Sequence, residues 1–388
     1  MPATQDIVDQ VSSSSEIAVG GLRFRSLSPA EIDAAAVARW RDLARRSCHQ
    51  NPFLVPEFTL PAWRWLSAEQ EHVLFVVESP RDGRWLAAGG FSLGQVTSTL
   101  PWPHVVTAMS LYTFRSGLLI DSDRAREALD ALLIGLTQGG WKRQTLEITG
   151  LRLDSILARE LAASAYRLGY SWETTVPRSV PAVFPEIVSE EYLADHWSSS
   201  RRKSMRRAKA RLEAAGSVSL RLLSEPEDVA AALETFLRLE QDSWKGEAGT
   251  ACLSNEKDEQ FIRAMVMGMA EQGRVIMTEL RAGERVVTSA INLTAGTALF
   301  AFKIGWDREW AAASPGVLHE AELMLAARHR LRDYTLFDSC ATEDSYLAPI
   351  WPERIPVATG ILCASSWSRW SQQFLQAGRR VRRMLKRR

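Results

Sequence analysis

Apolar residues recur along this chain in two rhythms. Over His72–Gly94, HVLFVVESPRDGRWLAAGGFSLG, two β-rich runs flank a charged turn containing Asp82-Gly83, the pattern of a hairpin. Over Arg274–Gly305, RVIMTELRAGERVVTSAINLTAGTALFAFKIG, the device returns around Ala282-Gly283, and a further strand after Ala295-Gly296 predicts a meander. Elsewhere the period is helical. PEDVAAALETFLRLEQDSW places Val229, Leu233, Phe236 and Leu237 on one face. SPGVLHEAELMLAARHRL does the same with Val317, Leu318, Ala321, Met324, Leu325 and Leu331, as a helix packed on a sheet would.

The order of elements after each hairpin is the same, which points to an old duplication. VTAMSLYTF, RSGLLIDSDRAREALDALLIGL and TLEITGL read as strand, capped helix and strand; ALFAFKIG, SPGVLHEAELMLAARHRL and YTLFDSC repeat that order. A right-handed crossover joins such strands in parallel, and ligands of open α/β sheets bind where the strands splay. The fold class expected is α/β, two tandem domains, each a mixed, mostly antiparallel sheet flanked by helices. Val176–Trp197, punctuated by Pro177, Pro181 and Pro185, is the expected boundary. The division predicted is a disordered tail over 1–20, a structural first domain over 21–180, a second domain carrying the site over 190–370, and a basic tail over 371–388.

A length of 388 residues suits two domains. With 47 Lys and Arg against 46 Asp and Glu, the net charge of +1 gives no global pointer to nucleic acid. Any such reading rests on one local run, Arg201, Arg202, Lys203, Arg206, Arg207, Lys209 and Arg211, in SSSRRKSMRRAKARLEAAG, a helix capped by its serines and ended by Gly216. Arg202, Arg206 and Lys209 cluster on one side of it, an anion-binding stripe for phosphate or a nucleic-acid backbone. Cys48, Cys252, Cys340 and Cys363 lie far apart, and no His stands at metal-ligand spacing, so free thiols and no metal are expected. The chain shows no signal peptide and no bilayer-length apolar run, which predicts a cytoplasmic protein.

Several residues are suited to chemistry. In Ser314-Pro315-Gly316 the serine can cap, the proline fits the first helical position and the glycine leaves its N–H open, so this helix start suits a phosphate or is simply a well-made beginning. Lys303 shares a strand face with Leu299 and Ala301, either as a site residue or as a snorkelling edge lysine. Asp338 ends an apolar strand, where a buried carboxylate needs a partner or a task. Trp244-Lys245 precedes GEAGTACLS, a small-residue loop that closes over a ligand or merely connects. His319, one turn into its helix, reads as packing. In the first half Asp121 and Asp123 sit at the corresponding helix start and would repel a phosphate, so the site is expected in the second half.

The basic helix, LEQDSWKGEAGT, the meander ending in FKIGWD, the SPG helix and the strand ending in FDS together resemble the second domain of GNAT-superfamily acyltransferases found beside bacterial exopolysaccharide or cellulose synthesis genes, related to the Fem peptidoglycan aminoacyl transferases. The resemblance covers roughly Trp197–Ala358. It implies a tandem GNAT fold with an acyl donor, acyl-CoA carrying acetyl or a longer group, in the V between two splayed strands. Its pyrophosphate would lie at the helix start of Ser314, Gly316, Val317 and Leu318, with Trp244, Lys245, Lys303 and Asp338 at the substrate cleft. The GNAT phosphate loop with two glycines separated by one residue is missing.

The activity this implies is N-acyl transfer from acyl-CoA to an amine of a small molecule, an amino sugar or a cell-envelope glycan precursor. Asp338 is the candidate base, Lys303 the candidate for the oxyanion, and Arg202 and Arg206 candidates for substrate binding. The alternatives are a Fem-like transferase using aminoacyl-tRNA held by the basic helix, and a non-catalytic scaffold. At the chain's end, SSWSRWSQQFLQAGRRVRRMLKRR can line Trp367, Trp370, Phe374, Val381 and Leu385 on one side of a helix. Its basic residues 379–388 predict reversible binding to an anionic membrane surface, at the inner face of the membrane.

Overall fold

A computed structural model describes residues 16–138 and 145–365. The first half runs through β1 (Glu16–Val19), β2 (Leu22–Leu27), α1 (Ala34–Arg46), α2 (Pro56–Pro61), β3 (His72–Glu78), β4 (Trp85–Gln95), β5 (His104–Thr107), β6 (Leu119–Ile120), α3 (Ala125–Gln138), β7 (Thr145–Arg152), α4 (Ile156–Arg167), β8 (Ser171–Thr174) and β9 (Arg178–Val183). The second half follows with α5 (Glu190–His196), α6 (Ser199–Glu213), β10 (Val218–Leu223), α7 (Pro226–Gln241), α8 (Trp244–Glu247), α9 (Glu256–Glu271), β11 (Val275–Ala282), β12 (Arg285–Ala295), β13 (Ala298–Trp306), α10 (Pro315–Arg330), β14 (Leu336–Asp338) and β15 (Glu353–Cys363). No helix among the described residues is long and apolar enough to cross a membrane.

All the strands belong to one sheet, in the order β1-β2-β3-β4-β5-β7-β15-β9-β14-β13-β12-β11-β10, with β6 and β8 joined at its side. The pairings are antiparallel except for β5 with β7 and β13 with β14. These two parallel pairs are the duplicated units, each closed by a crossover helix, α3 in the first half and α10 in the second. Both hairpins form where the glycine turns place them, and the fold is the expected mixed, mostly antiparallel α/β arrangement.

Four expectations need correction. Residues 16–19 are not part of a disordered tail: they pair with β2 through a turn at Gly20 and Gly21, whose positive φ angles of 56° and 79° suit a tight reversal. The rest of that tail lies outside the described residues, as do the aromatic and basic residues from 367 onward. The strand read from VTAMSLYTF stops at Thr107, because the chain beyond it turns inward and the Ser116 N–H donates to the Gly150 carbonyl across the end of β7. The proline-rich boundary contains β9, with Pro181 inside it; β14 meets β9 only at Ala182 and Val183, past the proline. Finally, β15 lies between β7 of the first half and β9, which ties both halves into the same sheet.

The halves also share a core. Phe53 and Phe58 of the first half meet Phe261, Phe300 and Phe302 of the second edge to face or tilted, with ring centroids 5.4–6.3 Å apart. Tyr112 stacks on Phe261 at 5.4 Å and Phe114 packs on Phe302 at 5.6 Å. Each buried ring of this kind contributes roughly 1.5–3 kcal/mol through area removed from water. The loop carrying Tyr112, Phe114 and Arg115 is thus held against β13, where the candidate site opens.

Candidate active site

Parallel pairing of β13 with β14 spans Ala298–Phe300 against Leu336–Asp338. Beyond it the strands part, and a cavity of about 400 Å³ opens, walled by Asn292 of β12, Ala301 and Lys303 of β13, Glu320 of α10, and Cys340 and Tyr346 after β14. Tyr112 and Phe114 close it from the first half, and Lys245 stands at its side. Among the described residues only Ser314 and Cys340 are non-glycines with positive φ, at 45° and 54°. One starts α10 and the other lies in the cavity wall. Each such conformation costs about 1–3 kcal/mol, and strain of this kind gathers at ligand sites.

Lys303 and Lys245 share one acid. Glu240, fully buried on α7, accepts from Lys303 Nζ at 3.1 Å and from Lys245 Nζ at 3.0 Å through the same oxygen, while its other oxygen accepts the Cys252 N–H at 2.9 Å. Lys245 also donates to the Ile304 carbonyl at 3.1 Å, and the Lys303 ammonium lies 4.8 Å from the Tyr112 ring centre. Gly305 makes the arrangement possible: a Cβ there would stand 3.0 Å from the Glu240 nitrogen and the Phe236 carbonyl, so its absence lets α7 lie against β13. Burial alone would lower the Lys303 pKa, but Cys252 and Glu240 outweigh it and hold the ammonium above its usual value. Two cations against one carboxylate leave one positive charge at the cavity wall, suited to an oxyanion, a carboxylate or a phosphate.

Asp338 has another task than the one expected. Its carboxylate receives a two-pronged hydrogen bond from Arg115, Nε at 2.8 Å and Nη2 at 2.7 Å, and accepts the Cys340 N–H at 2.8 Å. Both side chains are buried. A carboxylate so engaged is a structural anchor and not a free base. The pair lies beside the cavity and lines a second one of about 420 Å³ with His49, Arg152, Asp154 and Glu186.

At the start of α10, Pro315 takes the first helical position, but the Ser314 side chain forms no cap hydrogen bond, against expectation, because its own backbone is left-handed there. Gly316 and Val317 therefore present N–H groups without a side-chain cap, and Gly316 lies close to Ile304, a cavity residue, and Trp306. Leu318 does not join them: its N–H donates to the Ser314 carbonyl at 3.1 Å and its side chain is buried. Helix α6 lies alongside, with Ala208 and Leu212 packed on Ala313 and Leu318, and Lys209 paired with Glu322 at 3.0 Å. Arg202 donates through Nη1 to the carbonyls of Ala194 and Trp197, which holds it against the segment before its own helix. Arg206 is exposed and forms no ion pair among the described residues. Trp244, more than half exposed, flanks Lys245 outside the cavity lining.

The corresponding first-half site is shut. Asp121 accepts the N–H groups of Asp123 and Arg124 at 3.0 and 3.2 Å and pairs with Arg46 and Arg84, so the start of α3 already holds its anion. His319 is buried with both ring nitrogens bonded to Thr278 and Thr288, as a packing residue. Sequence reasoning missed Glu240, Arg115 and Glu320. LEQDSW held the only signal for the first, an acid in the register next to the buried stripe of its helix; the others gave none.

Residues 199–346 match the family described as Acetyltransferase (GNAT) domain. The sequence matches none of the curated proteins compared with it. Among solved structures, the fold is similar to the crystal structure of FemX, with a TM-score of 0.54 at 12% identity over 84% of this chain and 95% of that one. It is also similar to the C-terminal domain (DUF2156) of a putative lysylphosphatidylglycerol synthetase from Agrobacterium fabrum, with a TM-score of 0.53 at 12% identity over 89% and 96%. A conserved protein of unknown function from Bacteroides thetaiotaomicron gives 0.52 at 11% over 85% and 97%. At such identities the likeness is one of fold, and what the comparisons add to the geometry is that residues 199–346 carry a GNAT-fold acetyltransferase domain.

Proposed function

We propose that the protein is an N-acyltransferase that moves an acyl group from acyl-CoA to the amine of a small molecule, an amino sugar or a cell-envelope glycan precursor, in the setting of bacterial exopolysaccharide synthesis. The observation that carries the reading is the splay of β13 and β14, with an uncapped helix start at one end and the Lys303–Glu240–Lys245 cluster in its wall. The N–H groups of Gly316 and Val317 would receive the donor's diphosphate, and Arg206 on α6 would face the same anion. The acyl carbonyl would lie toward Lys303, whose charge stabilises the oxyanion as the amine attacks.

A second reading, transfer from aminoacyl-tRNA, rests on α6, where Lys203, Arg206 and Arg207 are all exposed. A scaffold without turnover is the third. Thermal shifts with acetyl-CoA, longer acyl-CoAs and charged tRNA, followed by thiol release with candidate amines, separate the three. Stabilisation by acyl-CoA with thiol release on adding an amine is the expected result. Stabilisation by charged tRNA alone moves the assignment to the second reading, and stabilisation by neither leaves the scaffold. Anchoring at an anionic inner membrane face through residues 379–388 belongs to the same proposal and is read by vesicle flotation that weakens with salt.

A further inference from the structure

One carboxyl in the cavity has no partner. Glu320 on α10 is 3% exposed, and its Oε2 makes no hydrogen bond among the described residues. It interrupts a buried apolar stripe, with Leu323, Met324 and Ala327 following on α10. An unpartnered acid in such a place is unfavourable relative to water, and an apolar residue would fill it without that cost.

The other groups facing the cavity are committed. Asp338, at its edge, is held by Arg115, and Glu240 is held by Lys303, Lys245 and the Cys252 N–H. Tyr112, Cys340 and Tyr346 are pushed up by burial and keep their protons far above neutrality. Glu320 is the one group in the lining, among the described residues, that can change protonation near neutral pH without breaking an ion pair. Burial raises its pKa to about 8.

Resting on the acyl-transfer reading above, we propose that Glu320 carries the proton of the reaction. Its carboxylate takes a proton from the nitrogen of the amine as the new C–N bond forms and the carbonyl π pair moves to oxygen. When that pair returns, the C–S bond breaks with its electrons on sulfur, and the Glu320 carboxylic acid gives the proton to the departing thiolate. The amide and the free thiol leave, and the carboxylate is restored.

The test uses the full chain with acetyl-CoA as donor and hydroxylamine as a small nucleophilic amine, following thiol release from pH 6 to 9. For Glu320→Gln the expected result is a fall in kcat of about a hundredfold with KM for acetyl-CoA unchanged, loss of the rising limb of the pH profile near neutrality, and partial recovery in Glu320→Asp. A Glu320→Gln enzyme that keeps both its kcat and its pH limb overturns the proposal. A second measurement needs no turnover: dicyclohexylcarbodiimide, which attacks protonated buried carboxyls, is expected to label Glu320 at pH 7 by mass spectrometry, and acetyl-CoA to block the label. Stabilisation by acetyl-CoA without protection of Glu320 removes the residue from the reaction while sparing the acyl-CoA reading. Absence of any stabilisation by acetyl-CoA overturns that reading and this role with it.

Discussion

At the scale of single residues, the decisive fact is that one carboxylate serves two ammoniums. Lys303→Met removes the charge aimed at the acyl carbonyl, and turnover is expected to fall roughly ten- to a thousandfold with little change in melting temperature. Glu240→Gln does the opposite, leaving two cations in a buried wall; unfolding is expected to become easier by about 3–5 kcal/mol, the range for a broken buried pair, seen in urea titration. His49 supplies a pH dependence. Burial and Arg152 lower its pKa to about 4, so the folded state stays neutral where the unfolded chain, with an ordinary value of about 6.5, already binds a proton. The contribution of His49 to stability is therefore complete above pH 6.5 and is lost as the pH falls toward 4, and His49→Gln is expected to flatten that part of the slope in thermal melts. Lys303 and Lys245 both line the cavity, and the sequence marks each of them, since a lysine at the end of an apolar strand, or before a small-residue loop, is out of place. The role of Asp338 was not legible, because Arg115 lies 223 residues away in sequence and only the fold brings it near.

Elements set the second scale. The two hairpins could be read because each carries its own turn chemistry, and α10 because its apolar stripe is long. The three residues of β14 can be read from YTLFDS, whereas β15 cannot, since its partners in β7 and β9 lie far back in the chain. The start of α10 allows two effects to be separated. An acid at Gly316 has room, with Trp306 3.6 Å from the new Cβ, and favours the helix dipole, so Gly316→Asp is expected to hold or slightly raise the melting temperature. The same charge repels a diphosphate, and acetyl-CoA affinity measured by calorimetry is expected to fall at least tenfold. Ser122→Asp, at the start of α3 where Asp121 already caps, should leave that affinity unchanged.

For the whole molecule, the Arg115–Asp338 pair is a buried ion pair between halves that aromatic rings, strand pairing and further hydrogen bonds, such as that of the Ser179 N–H to Glu343, also join. Arg115→Met strands a buried carboxylate and is expected to cost about 3–5 kcal/mol, and adding Asp338→Leu should restore most of it. Equal melting temperatures for the single and double variants would show that the stranded carboxylate is not the source of the cost. The placement of β15 also has a consequence in time. Residues 145–152 of β7 are synthesised about 200 residues before 353–363 arrive to cover them, and at about 5–20 residues per second that is a wait of about 10–40 s. Throughout it, a buried strand of the finished protein is an open edge, the kind of surface on which chains join one another. Nascent chains halted before Glu353 are therefore expected to bind holdase chaperones or to aggregate, and release of the final strand should end both. The protein is thus most exposed to misassembly after its first half has been made and before its sheet can be closed.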